Sequence, residues 1–195
     1  MNPLLILPLA LALLLGGCAG HSVAPEVAEY GLPPVSAGAS PLLRSVEVGA
    51  PSWFSSKGIQ YHLAYADAAR RATYANSRWV ASPPEMLDRF LGRSLTGEGR
   101  NAPGICRLQI EMDEFQQVFD TPQASRGVLA VRATLLAQGG TPLARHSISA
   151  VRPAGSADAH GGIAALGLAV GDLSQSLGLW LDGLGPDIAQ ACRSR

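Results

Sequence analysis

The opening of the chain limits what the rest can become. Pro3 to Leu15 is an unbroken apolar run without a charge. It is too short to cross a bilayer core, which takes about 20 residues. Its length and apolarity are those of the core of a secretory signal, and the small residues Gly16 and Gly17 follow it, directly before Cys18. Residues 1–17 are therefore expected to direct export and then be removed. Whatever folds must do so from residue 18 onward, outside the cytoplasm.

Leu15-Gly16-Gly17-Cys18 resembles the lipobox of bacterial lipoproteins. Such a tetrad needs a thiol, because diacylglycerol is attached as a thioether. It needs small residues before the cysteine, so that the signal peptidase can reach the backbone. The resemblance implies that Cys18 becomes the first residue of the mature chain. It would carry a diacylglycerol and an N-acyl chain, palmitate-like, as its covalent groups, with no other cofactor. One acyl chain holds a protein weakly to a membrane, whereas several hold it firmly. Residue 19 is Ala and not Asp. By the sorting rule of enteric bacteria, this implies delivery to the periplasmic face of the outer membrane.

Residues 18–41 are rich in Ala, Gly, Pro and Ser and read as a lipid-anchored flexible tether. Within it, Tyr30-Gly31-Leu32 is the candidate first contact with the domain. Residues 42–195 are enough for one domain with a real core. The chain has 15 basic and 15 acidic residues, so nothing suggests nucleic-acid binding, which needs a basic face. Two cysteines remain, Cys106 and Cys192. In an oxidising compartment they are a candidate disulfide. The other reading is two free, buried thiols. Two cysteines without a suitably spaced His cluster make no case for zinc or another metal.

The apolar pattern predicts the elements. Leu43–Val48 and Gly58–Tyr65 alternate, with Ile59, Tyr61, Leu63 and Tyr65 on one face, and Thr73–Val80 follows as a third strand. Ser82-Pro83-Pro84-Glu85 combines an N-cap residue, Pro at the first helical position and a Glu three residues on. Met86, Leu87, Phe90, Leu91 and Leu95 then recur at helical spacing. Arg107–Asp113 is a strand with Leu108, Ile110 and Met112 inward, extended by Phe115 and Val118. Gly127–Ala137 and Leu143–Val151 are a hairpin around Gly139-Gly140-Thr141-Pro142. A long amphipathic helix begins after Ser156 and ends near Gly183, with a short turn over 187–192. The expected class is α+β: a mostly antiparallel sheet in the order βββαβββα, with two main helices packed on one face.

The pattern offers no catalytic constellation. There is no Gly-x-Ser-x-Gly, no phosphate-binding loop and no His-Glu-x-x-His. Glu111, Asp113 and Glu114 resemble a carboxylate pair, but a solvated strand face is by far the plainer reading. The chain is expected not to be an enzyme. Trp53 and Phe54, in a Pro-flanked turn, have two readings of equal standing. Either they form a surface apolar contact for a partner, or they plug the end of the sheet.

The order of these pieces resembles a known family. A lipobox and Tyr30-x-Leu32 come first, then Ile59-Gln60-Tyr61-His62-Leu63-Ala64-Tyr65, then Tyr74-Ala75-Asn76-Ser77-Arg78-Trp79, then the helix beginning Pro84-Glu85-Met86-Leu87. Over residues 30–184 this is similar to the PqiC-like, ABC-type transport auxiliary lipoproteins. The resemblance implies a non-catalytic outer-membrane docking lipoprotein of an ABC/MCE (mammalian-cell-entry) envelope transport system for lipids or hydrophobic solutes. Its partners would be an MCE-domain protein, with the permease and ATPase of the same system, and the membrane through the anchor. Homo-oligomerisation would suit MCE proteins, which are themselves rings. The competing expectation is a periplasmic lipoprotein module that assists cell-wall synthesis or outer-membrane assembly.

Overall fold

The computed structural model describes residues 26–34, 38–67, 69–97 and 104–193. The signal, Leu15, Gly16, Gly17 and Cys18 lie outside the described residues. Among the described residues there are seven strands: β1 (Ala28–Tyr30), β2 (Leu43–Gly49), β3 (Gly58–Leu63), β4 (Arg71–Trp79), β5 (Cys106–Thr121), β6 (Ala124–Leu136) and β7 (Pro142–Pro153). The helices are α1 (Pro83–Thr96), α2 (Ala159–Asp182) and α3 (Pro186–Ala191), with a 3-10 turn over Ser52–Phe54. The α+β class is as expected.

All the strands belong to one sheet in the order β1-β4-β3-β5-β6-β7, with β2 also on β5. Strand β5 is its spine. One edge of β5 is taken along its length by β6, antiparallel. The other edge is shared end to end: β2 runs parallel beside Cys106–Glu111, and β3 runs parallel beside Gln117–Phe119. The long β5-β6-β7 meander and the β3–β4 pair are antiparallel, while β1–β4, β2–β5 and β3–β5 are parallel. The sheet is therefore mixed, antiparallel mainly through its long strands. β1 is a seventh strand, inside the stretch read from sequence as tether. Tyr30 is half-buried against the core, and its carbonyl accepts from the Val80 amide at 2.9 Å.

A bulge explains how β5 stays in the core over so many residues. Before it, Cys106, Leu108, Ile110 and Met112 are buried and alternate with more exposed residues. The register shifts between Met112 and Glu114, so Asp113 is the extra residue. Parity then reverses. Phe115 and Gln117 take the inner positions, and Phe115 meets Trp79 with ring centroids 5.5 Å apart. Val118, read from sequence as extending the strand, falls on the opposite parity.

Both main helices cover the inner face. In α1, Leu87, Leu91 and Leu95 are fully buried, as the spacing predicts. Ser82 is its N-cap residue, but the side chain makes no cap hydrogen bond. Pro83 and Pro84 lack amides, so fewer donors need a cap. Asp88 of α1 instead accepts from the β2 amide of Val48 at 3.0 Å. In α2, Leu166, Val170, Leu173, Leu177 and Leu181 form the buried stripe. This helix is long and apolar enough to cross a membrane, but half of its apolar window is buried within the domain. The two helices meet at Ser94 and Ser174, whose hydroxyls lie 3.0 Å apart. Cys106 and Cys192 form the expected disulfide, with Cα atoms 5.0 Å apart and a sequence separation of 86.

Candidate functional site

The polar groups are mostly engaged in structure. Asp113 is held by Arg132, Asp120 by Arg126 and Asp172 by Arg152. In each pair the hydrogen bond from the arginine holds the carboxyl below its ordinary range. Asp113, the centre of the carboxylate pattern at residues 111–114, is thus the partner of a cross-strand arginine. Asp158 caps α2: its side chain accepts from the Gly161 amide at 2.8 Å, which, with a bond from Ser156, lowers its pKa. His160 is in the first turn of that helix. Among the described residues, no group of three His, Cys, Asp or Glu side chains is placed to hold a metal.

The most connected polar residue is Gln117, which is fully buried. Its carbonyl accepts from the Tyr74 hydroxyl at 2.8 Å. Its amide donates to Ser125 Oγ at 2.8 Å and to the Asp158 carbonyl at 3.0 Å. Burial pushes the Tyr74 phenol well above its ordinary value, so it remains a donor. This network ties β4, β5, β6 and the start of α2 together. Gly162 is required beside it, because a Cβ there would run into the Gln117 side chain.

The structure separates the two aromatics that the sequence grouped. Trp53 is 59% exposed, so it remains open to a partner. Phe54 is fully buried and cannot make a surface contact. It plugs the sheet below Arg71, whose guanidinium lies 5.9 Å from the ring centroid. Trp53 keeps its place because its carbonyl accepts from the buried Gln60 amide at 2.9 Å.

Two clefts flank the sheet at opposite ends of β5. One, of about 470 Å³, lies between β2 and the β6–β7 turn and presents Arg44, Arg107 and the Gly139-Gly140 backbone. The other, of about 220 Å³, lies where β3 ends, lined by Tyr61, His62, Leu63 and Arg70 among others. Tyr61 in its lining packs on Tyr74 at 4.6 Å and edge-on to Phe119 at 5.8 Å between centroids. Sequence spacing pointed to neither cleft, because each joins residues brought together only by strand pairing.

The strand pieces that carried the family resemblance pair with one another. Tyr30 lies beside Trp79, and Tyr61 beside Ala72, in adjacent strands β1, β4 and β3.

No family model matches the chain, and no curated protein matches it. Solved structures share its fold. One is a protein of Xanthomonas campestris assigned to the family DUF330, with a TM-score of 0.65 and 16% identity, covering 80% of this chain and 95% of that one. Another, an uncharacterised protein, has a TM-score of 0.61 and 12% identity over 80% of this chain and 99% of its own. At these identities the likeness is one of fold, and it extends over nearly the whole of both neighbours.

Proposed function

We propose that this chain is a membrane-anchored auxiliary lipoprotein of the PqiC-like kind. It would serve as the outer-membrane docking element of an ABC/MCE-type transport system for lipids or hydrophobic solutes. The observation that carries the reading is the convergence just described. Segments of the resemblance that are far apart in sequence form adjacent strands, and the chain leaving the lipobox is stitched into their edge through β1. A domain attached in this way works close to a membrane. Asp113, Asp120 and Asp172 are committed to arginines and Asp158 to a helix cap, which fits a binding part better than a chemical one. Exposed Trp53 offers an anchor for a protein partner, since Trp is enriched at interface hot spots.

The test is recovery of partners from detergent-solubilised envelopes with a tagged chain. An MCE-domain protein, with its permease and ATPase, is expected. Recovery of a cell-wall synthase or an outer-membrane assembly factor in their place would overturn the transport reading in favour of the alternative module. Trp53→Ala should weaken recovery of the MCE protein by roughly tenfold or more, as for a hot-spot residue. Undiminished recovery would remove Trp53 from the interface.

A further inference from the structure

The direction in which β1 enters the sheet decides which end of the domain meets the membrane. β1 is parallel to β4, β4 antiparallel to β3, and β3 parallel to β5. β1 therefore runs opposite to β5. Glu29 and Gly58 both pair with Arg78, and Tyr61 pairs with Gln117. Traced backward from Ala28, the chain moves toward the end of β5 at Phe119–Thr121. Glu26 comes out roughly level with Gln117.

Lengths then discriminate between the ends. From Cys18 to Glu26, eight residues span at most about 29 Å. From the level of Gln117 back to Cys106, eleven strand residues span about 36 Å. Even a fully extended chain that reversed its course would leave Cys18 short of the disulfide end. The other end, where β3 stops and β5 turns into β6, is only about 13 Å away.

That nearer end has the chemistry of a membrane interface. Tyr65 stands 47% exposed in the β3–β4 connection, next in sequence to Ala66 and Asp67, which line the smaller cleft. A tyrosine suits the boundary between acyl chains and headgroups, where its ring is apolar and its hydroxyl wet. Arg70 lines the same cleft and makes no ion pair among the described residues. Guanidinium groups favour phosphate oxygens. Asp67 in the rim is turned to its own loop, accepting from the Ala69 amide at 3.0 Å, and Asp120 is neutralised by Arg126.

We propose that Tyr65, Ala66 and Arg70 of the β3–β4 connection, with the cleft that Ala66 and Arg70 line, rest on the phospholipid headgroups of the membrane holding the anchor. The disulfide end and its larger cleft then point away from the bilayer, toward protein partners. This orientation rests on acylation of Cys18.

The experiment uses the full acylated chain, carrying either Ala66→Cys or Gln138→Cys. Both positions are exposed, at opposite ends of the sheet, and the disulfide leaves the new thiol as the labelling site. A fluorophore on that thiol is read in phosphatidylethanolamine/phosphatidylglycerol vesicles containing a lipid with a headgroup-level nitroxide quencher. Quenching at position 66 several-fold stronger than at 138 is the expected result. Adding Tyr65→Ser and Arg70→Ser should reduce quenching at 66. Equal quenching at the two positions, or stronger quenching at 138, overturns the orientation. Unchanged quenching in the double variant overturns the headgroup contact. Mass spectrometry of the same sample separates the two layers. An unacylated Cys18 overturns the anchoring reading and the orientation with it, while an acylated Cys18 with the wrong pattern overturns the orientation alone.

Discussion

At the scale of single residues, the two most consequential positions do opposite things. Trp79 is buried against Phe115 and closes β4 into the core. Trp79→Ala should cost about 3–5 kcal/mol, measured by denaturant unfolding. Tyr74→Phe removes only the hydrogen bond to Gln117. It should cost about 1–2 kcal/mol, because a buried amide carbonyl then lacks its donor. The aspartates paired with arginine have carboxyls held below their ordinary value near 3.8. A depressed folded pKa gives stability that is present above the unfolded value and is lost as pH falls through the folded one. Unfolding measured against pH should therefore show these pairs intact from pH 5 to 8 and losing their contribution below about pH 4. The pairs are largely exposed, so the effect should be small and shrink with added salt. Residue-scale features were unevenly legible. Cys106 and Cys192 could be matched by counting thiols in an exported chain. Gln117 could not be singled out, because its three partners come from three other elements. Phe54 and Trp53 looked alike in sequence, and only the 3-10 turn sends one inward and the other out.

Elements show where periodicity succeeds and where it fails. The helices α1 and α2 were readable because each buries one apolar stripe, and so were the alternating strands β2, β3, β6 and β7. β1 was not. Ala28-Glu29-Tyr30 is too short to show a period, and its pairing with Ser77–Trp79 is long-range. The bulge at Asp113 was also hidden, because an extra residue reverses parity without changing composition. The parallel placement of β2 and β3 along one edge of β5 is likewise a tertiary outcome. The disulfide belongs to this scale too, since it pins α3 to the start of β5. Replacing both Cys106 and Cys192 with Ala should lower stability by about 2–4 kcal/mol, through the long loop it closes. Denaturant midpoints with and without reductant would check this: the wild type should fall under reductant to the level of the double variant.

On the scale of the whole molecule, the described fold is a covered sheet with one face under helices, β1 at one edge and distinct clefts at its two ends. The function proposed for it depends on the lipid-anchored tether expected before β1. A docking device must be attached to be useful, whereas a soluble binding protein need not be. Cys18→Ser separates these cases, because it removes the anchor and leaves every described residue unchanged. The measurement is lipid-transport complementation by Cys18→Ser in a deletion strain, with the soluble fraction examined for a folded, disulfide-bonded domain. The account predicts a folded domain released from the outer membrane and transport no better than in the deletion. Transport at the wild-type level by the released, folded domain would contradict it.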